Sequence, residues 1–179
     1  MRYIFLLFLI FGCSSKPSYI YVKEPQIEQT KGCNCSIAVK EVELPYYLED
    51  AKIPYISDGK IEFFGNSYFA EDAKEFATKR VRDILTTTSK DASIYPWNSK
   101  KSDYILQLDV RELIAKEKDS KVKIFAKWKL FNQDKDIVLS STCRDTMSLQ
   151  DFNKKEVLNG MRELFDRCID TIARKIGEI

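Results

Sequence analysis

The most reactive side chains in this sequence are the thiols of its five cysteines: Cys13, Cys33, Cys35, Cys143 and Cys168. A thiolate can attack an acyl donor, form a disulfide or bind a metal ion. The sequence has no histidine, which excludes Ser-His-Asp, Cys-His and His-metal centres. A carboxylate pair could still act in acid–base catalysis, but the 27 acidic residues are spread among lysines and no pair is singled out. We therefore predict a protein that is not an enzyme, with no catalytic residues and no metal.

Cys13 lies at the end of a segment with the layout of an export signal. Arg2 gives the start a positive charge, and Ile4–Phe11 is an unbroken apolar run that ends before a small residue, Gly12. A helix that crosses a bilayer needs about twenty residues, so this run is too short to remain as a span. With Ile10 three positions before it, Cys13 resembles the acylated cysteine of a bacterial lipobox. We predict that Cys13 carries a diacylglycerol and an N-acyl chain such as palmitate.

The rest of the chain is expected to form one domain held at a membrane. We assign residues 1–12 to a removable signal peptide, 13–18 to the lipidated cysteine and a short tether, and 19–179 to a single periplasmic α+β domain. No aspartate directly follows the cysteine, which resembles the sorting signal for the outer membrane. Removing the signal lowers the formal net charge from +2 to +1, so no overall field attracts nucleic acid. Apart from the acyl chains, we expect no cofactor.

The four remaining cysteines could form disulfides, because an exported protein meets oxidising conditions. Four thiols allow three pairings, and the sequence does not choose among Cys33, Cys35, Cys143 and Cys168. The spacing of Cys33 and Cys35 is too tight for a thioredoxin-like site and lacks the two Cys-x-x-Cys pairs of a zinc ribbon. Buried, unpaired thiols that act as small apolar groups are an equal alternative.

Alternating apolar and polar residues predict three long strands in the second half of the chain. They cover Asp103–Ala115, Lys121–Phe131 and Ile137–Thr146, with short polar turns between them. Each strand has one apolar face and one polar face, as in an antiparallel meander. Shorter strands are predicted at 19–22, 37–44 and 94–95.

Two helices are predicted from apolar residues at three- and four-residue spacing. The first covers Phe69–Lys90, with Asn66 or Ser67 as its cap, and the second covers Phe152–Ile176, announced by Ser148-x-x-Asp151. Since each strand has one apolar face, both helices should cover the same side of the sheet. The expected fold class is α+β, a two-layer sandwich of a largely antiparallel mixed sheet with two long helices on one face.

Two groups of residues could form contact surfaces. An aromatic-rich region that reads as a loop could be a partner interface or a satellite core beneath a long connection. Its members are Tyr46, Tyr47, Leu48, Phe63, Phe64 and Tyr68. The lysines on one face of Lys121–Phe131 could meet lipid headgroups, peptidoglycan or a partner, or they could be solvated and discourage edge pairing.

An ordered series of short motifs resembles the PqiC-like family of ABC-type transport auxiliary lipoproteins. The motifs begin at Glu43-Leu44-Pro45-Tyr46-Tyr47-Leu48 and continue through Ile61-Glu62-Phe63, Tyr68-Phe69-Ala70-Glu71, Ile94-Tyr95-Pro96-Trp97, Asp103-Tyr104-Ile105-Leu106 and Ala126-Lys127-Trp128-Lys129-Leu130. Tyr68 stands where the family often has Trp, and the Cys33–Cys35 pair is not a feature of the family. The resemblance implies an outer-membrane lipoprotein that docks on an MCE-domain protein of an ABC lipid transporter and supports lipid movement between the membranes. It also implies self-association into a ring.

Two other functions fit the same residues. One is a structural envelope lipoprotein that binds peptidoglycan or assists the assembly of outer-membrane proteins. The other is a lipid carrier with a cavity of its own, from which phospholipid would co-purify.

Overall fold

The computed structural model describes residues 18–20, 32–96 and 102–179. The predicted signal peptide, Cys13 and the tether before Ser18 lie outside these residues. The strands are β1 (Ser18–Ile20), β2 (Cys33–Val39), β3 (Lys52–Ser57), β4 (Lys60–Phe69), β5 (Ser89–Ile94), β6 (Tyr104–Lys116), β7 (Lys121–Phe131) and β8 (Ile137–Ser148). The helices are α1 (Ala73–Thr86) and α2 (Lys154–Ile176), and a 3-10 turn covers Tyr46–Leu48.

Strands β6, β7 and β8 form the antiparallel meander that the sequence predicts. The register sets Leu106 opposite Leu130 and Leu108 opposite Trp128, so the apolar residues of neighbouring strands share one face. The buried residues of β7 are Val122, Ile124, Ala126, Trp128 and Leu130. The alternation is confirmed, and it leaves the opposite face of the meander for polar and charged side chains.

The other edge of β6 is shared between two parallel strands. Strand β2 pairs with the start of β6 at Tyr104 to Leu106, and β3 pairs with its end at Ala115 and Lys116. Strand β5 is parallel to β2, and β1 is parallel to β4, so the eight-stranded sheet is mixed. The sheet curls as a half-barrel. The α+β class is confirmed, whereas a two-layer, largely antiparallel sandwich is not, because long connections through a hairpin and a helix permit parallel pairing.

Strands β3 and β4 form a hairpin where the sequence reading placed a loop. The turn is Asp58-Gly59, and both residues have positive φ, 48° and 77°, as a tight hairpin turn requires. Asn66 also has a positive φ of 48°, and the register shifts between Lys52 and Pro54. These irregularities interrupt the simple alternation of β4, which is why periodicity alone did not reveal the strand.

Both predicted helices are present, with later starts than expected. Helix α1 also ends at Thr86 rather than at Lys90, because Ser89–Ile94 forms strand β5. Helix α1 is capped by the carboxylate of Asp72, and α2 by the amide oxygen of Asn153. The predicted caps Asn66 and Ser67 lie within β4, and β8 extends to Ser148, so none of these residues begins a helix. The predicted apolar stripe of α2 is buried as expected: Leu158, Met161, Leu164, Phe165, Cys168, Ile172 and Ile176. Among the described residues, no helix has the length and apolar content to cross a bilayer.

Helix α2 contacts β6, β7 and β8, while α1 contacts β2, β5 and α2. An ion pair joins the helices: the guanidinium of Arg80 donates to both carboxylate oxygens of Asp166, at 2.8 and 3.0 Å. Asp170 lies one turn further along α2. Burial, and then the charge of Asp166, raise the pKa of the Asp170 carboxyl, and Arg80 and Arg174 oppose this effect only in part. The interface therefore holds one well-paired carboxylate, Asp166, and the exposed Asp170 beside it is disfavoured in its charged form.

The raised pKa of Asp170 makes stability depend on pH. The folded protein binds the Asp170 proton more tightly than the unfolded chain does. The contribution of Asp170 to the free energy of unfolding is therefore favourable at acid pH and is lost as the pH rises through the pKa of the folded state. We expect Asp170→Asn to be more stable than the wild type at pH 7 and to lose that advantage near pH 4. Urea denaturation at both pH values measures the difference. An equal difference at the two pH values would contradict the assignment, and Glu178→Gln on the exposed C-terminus is the control.

Candidate functional surfaces

The six aromatic and aliphatic residues predicted as a partner interface do not form one surface. Tyr47 and Leu48 are buried, with 8% and 3% of their surface exposed, whereas Tyr46 is 74% exposed. The rings of Tyr46 and Tyr47 meet edge to face with centroids 5.5 Å apart. The satellite-core interpretation therefore describes Tyr47 and Leu48, and Tyr46 is the member of this turn that a partner could reach.

Tyr47 contacts β6 between the stretch of that strand that pairs with β2 and the stretch that pairs with β3. Its hydroxyl oxygen accepts a hydrogen bond from the backbone N–H of Leu113 at 3.3 Å, next to the register shift between Val110 and Glu112. Burial is the main cause that raises the pKa of the Tyr47 phenol. The side chain thus bonds to the backbone of β6 beside this irregularity, which is a structural role.

Phe63 and Phe64 lie on opposite faces of the β3–β4 hairpin, since successive strand residues alternate. The Phe64 ring packs at 4.6 Å from Tyr55 and at 5.9 Å from Phe152, and those two rings are 5.5 Å apart. On the other face, the ammonium of Lys52 lies 5.9 Å from the Phe63 ring. Phe64 therefore joins the hairpin to the segment before α2, and Phe63 and Tyr68 are half-buried.

The predicted lysine face is present on the outer side of the meander. We call the following side chains the basic face: Lys121, Lys123, Lys127, Lys129 and Arg144, with Phe125 among them. Phe125 lies opposite Arg144 in the register, and its ring centroid is 4.9 Å from the Arg144 guanidinium and 6.0 Å from the Lys127 ammonium. Among the described residues, none of these five cations takes part in an ion pair. Their charges therefore remain available to an external anion.

The structure pairs the four described cysteines in two disulfides. Cys143 of β8 pairs with Cys168 of α2, with Cα atoms 5.6 Å apart, and Cys33 pairs with Cys35 at 5.2 Å. Both distances lie in the ordinary range for a disulfide. No group of three or more potential metal ligands occurs within the described ranges.

The family is established by a match that covers most of the chain. Residues 22–173 match the model of the ABC-type transport auxiliary lipoprotein component. The chain belongs to this family. A search of curated protein sequences finds no match.

Solved structures show the same fold as this auxiliary lipoprotein. An uncharacterized protein aligns with a TM-score of 0.72 at 19% identity, over 90% of this chain and 99% of its own. Protein XCC0632 from Xanthomonas campestris, of the family DUF330, gives 0.68 at 15% identity, over 90% and 93%. PelC from Paraburkholderia phytofirmans, a dodecamer, gives 0.50 at 15% identity, over 87% and 95%. At these identities the likeness concerns the fold.

Family membership identifies the protein as an envelope lipoprotein that accompanies an ABC-type transporter. Sequence reasoning had identified this family from ordered motifs, and that assignment is confirmed. The Arg80–Asp166 pair and the hydrogen bond of Tyr47 were missed, because no local spacing links residues so far apart in the chain. The Asp-Gly turn at 58–59, a recognised hairpin signal, could have revealed the β3–β4 hairpin.

Proposed function

We propose that the protein is a non-enzymatic adaptor, held in the outer membrane by Cys13, for an MCE-type ABC lipid-transport system. The observation that carries this proposal is the family match over residues 22–173. The lipobox-like segment that ends at Cys13 supports the anchor. In this role the domain docks on an MCE-domain protein and helps lipids move between the inner and outer membranes.

The exposed Tyr46 is the proposed point of contact with the MCE-domain protein. It lies beside α1, because Glu49 of the same turn forms an ion pair with Lys74 of that helix at 2.6 Å. Exposed tyrosines on rigid backbone are effective interface anchors, since they bury a large area and lose little conformational entropy on binding. The buried Tyr47 below holds the turn in place.

Self-association into a ring is part of the proposal. Within the described residues, strand β8 pairs only with β7 and strand β5 pairs only with β2. Each therefore has one open edge, and an open strand edge can pair with another chain. The likeness of the fold to PelC, which is a dodecamer, supports this arrangement. Joining the β8 edge of one copy to the β5 edge of the next is a head-to-tail contact, and such contacts can close into a ring.

Site-specific photo-crosslinking tests the adaptor role in intact cells. We expect a crosslinker in place of Tyr46, in the full lipidated chain, to capture an MCE-domain protein or its ABC permease. The matched control places the crosslinker at Asp134, which is exposed in the turn between β7 and β8. Recovery at position 46 of barrel proteins or cell wall only would refute the adaptor and favour the structural lipoprotein. Phospholipid extracted with the purified protein would instead favour the carrier.

A further inference from the structure

The basic face combines dense positive charge with an aromatic ring on a regular surface. Alternate residues of β7 project from it at a spacing of about 7 Å, in the order Lys121, Lys123, Phe125, Lys127 and Lys129. The outward side chains of the neighbouring strand β8 add Arg144 and otherwise carry no charge: Ser140, Thr142, Thr146 and Ser148. No carboxylate on β8 therefore opposes an anion that approaches this side of the meander.

The nearest carboxylates on this face lie on β6 and on the segment that bridges it at Glu43. Asp109 is opposite Lys127 in the register, but it forms an ion pair with Arg111. Glu112 is opposite Phe125 and is half-buried. The exposed Glu43 lies beside β6, where its carboxylate accepts a hydrogen bond from the side-chain amide of Gln107 at 3.4 Å, and Gln107 is opposite Lys129. Glu43 and Glu112 are thus two carboxylates without an ion pair among the described residues, and the five cations still leave the surface positive.

We infer that the basic face binds the anionic phospholipid headgroups of the membrane that holds the Cys13 anchor. This inference rests on the anchor in the proposed function, but not on the identity of the transporter. Basic side chains near an anionic bilayer each strengthen binding, and an aromatic ring among them suits the headgroup region, where aromatic side chains are enriched. The occupant is thus a lipid surface rather than a single small anion.

The length of the chain before the fold places this face within reach of the membrane. Four residues separate Cys13 from Ser18, the first residue of β1, so the five Cα-to-Cα steps between them span at most about 18 Å. The strand order β1-β4-β3-β6-β7 sets β7 four strand spacings from β1, about 19 Å across the sheet. A domain held this closely can lay its outer sheet face on the bilayer. Tyr46, beside α1, is then left for a partner.

Lysine labelling of the lipidated full-length protein in vesicles tests the inference. The vesicles contain either phosphatidylcholine alone or phosphatidylcholine mixed with phosphatidylglycerol, and mass spectrometry measures acylation of each lysine. We expect labelling of Lys121, Lys127 and Lys129 to fall at least about fivefold in the anionic vesicles. Labelling of Lys90 and Lys155, which are exposed elsewhere, should not change. High salt should restore the labelling, because it screens the attraction.

Charge reversal tests whether the basic face causes the protection from labelling. In the variant Lys127→Glu with Lys129→Glu, labelling of Lys121 in anionic vesicles should return to its value in phosphatidylcholine. The matched control, Lys90→Glu with Lys155→Glu, should keep Lys121 protected. Equal labelling of Lys121 in the two kinds of vesicle, or protection in both, would overturn the inference. Protection produced only by added peptidoglycan would assign the face to the cell wall. Capture of an MCE-domain protein at position 46 is measured separately, so the two proposals can fail independently.

Discussion

Replacing Cys13 with serine should abolish acylation completely and leave the protein at its precursor mass. A serine hydroxyl cannot take the place of the thiol that the lipidating enzyme modifies, and the resemblance to a lipobox implies that cleavage before residue 13 requires the modified cysteine. The apolar run Ile4–Phe11 would then remain attached. Because that run is far shorter than the roughly twenty residues of a spanning helix, it should hold the protein less firmly than acyl chains do.

Intact-mass spectrometry and incorporation of labelled palmitate measure this result in membrane fractions. Cys33→Ser is the control and should be acylated and processed normally. A Cys13→Ser protein that still incorporated palmitate, or that had lost residues 1–12, would contradict the assignment of the anchor. Normal acylation of the wild type, with recovery in the inner-membrane fraction, would retain the anchor and refute the outer-membrane location.

Removing the cation between the two helices should cause the largest loss of stability. The Arg80 side chain is 8% exposed and that of Asp166 is 17% exposed, so Arg80→Ala leaves a carboxylate in a poorly solvated position without its partner. We expect a loss of about 3–5 kcal/mol, as for other broken buried ion pairs. Asp170 lies one turn further along α2, and the charge of Asp166 contributes to its raised pKa. The two carboxylates therefore repel each other, and Asp170 cannot stabilise Asp166 when Arg80 is removed.

A double variant that lacks both charges separates the ion pair from simple packing. The variant Arg80→Met with Asp166→Leu removes both charges and should recover most of the lost stability, because an apolar pair can replace a buried ion pair at little cost. Arg82→Ala, on an exposed face of α1 next to Asp83, should cost less than about 1 kcal/mol. Urea denaturation measures all four proteins. Equal losses for Arg80→Ala and Arg82→Ala would show that the buried pair has no special role.

The sequence correctly predicted the elements in which buried residues recur with a regular period. Strand β7 and helix α2 have simple two- and 3.6-residue periods, and each predicted apolar residue in them is buried. The hairpin β3–β4 has no such period, since Phe63 and Phe64 pack on opposite faces and Asn66 has a positive φ. The parallel pairing of β2 and β3 with β6 depends on where long connections return, and side-chain alternation carries no information about that.

The candidate surfaces were predictable only in part. The basic face follows directly from the alternation of lysines in β7. In contrast, the separation of Tyr46 from Tyr47 depends on a hydrogen bond to Leu113, 66 residues away. The pairing of Cys143 with Cys168 likewise depends on the packing of α2 against β8, so the sequence left three pairings open. Distant contacts of this kind are set by the tertiary fold rather than by local spacing.

Because of the Cys143–Cys168 disulfide, the stability of the domain depends on whether it is in the cytoplasm or outside it. The bond encloses a loop of 25 residues, and restraining the unfolded chain in this way is worth about 3 kcal/mol. Thiols stay reduced in the cytoplasm and are oxidised outside it. A newly made chain therefore lacks this contribution while it awaits export, and so resists unfolding less. Disulfide formation after translocation then stabilises the folded domain. The reduced chain is therefore easier to unfold before export, and the oxidised domain is more stable at its destination.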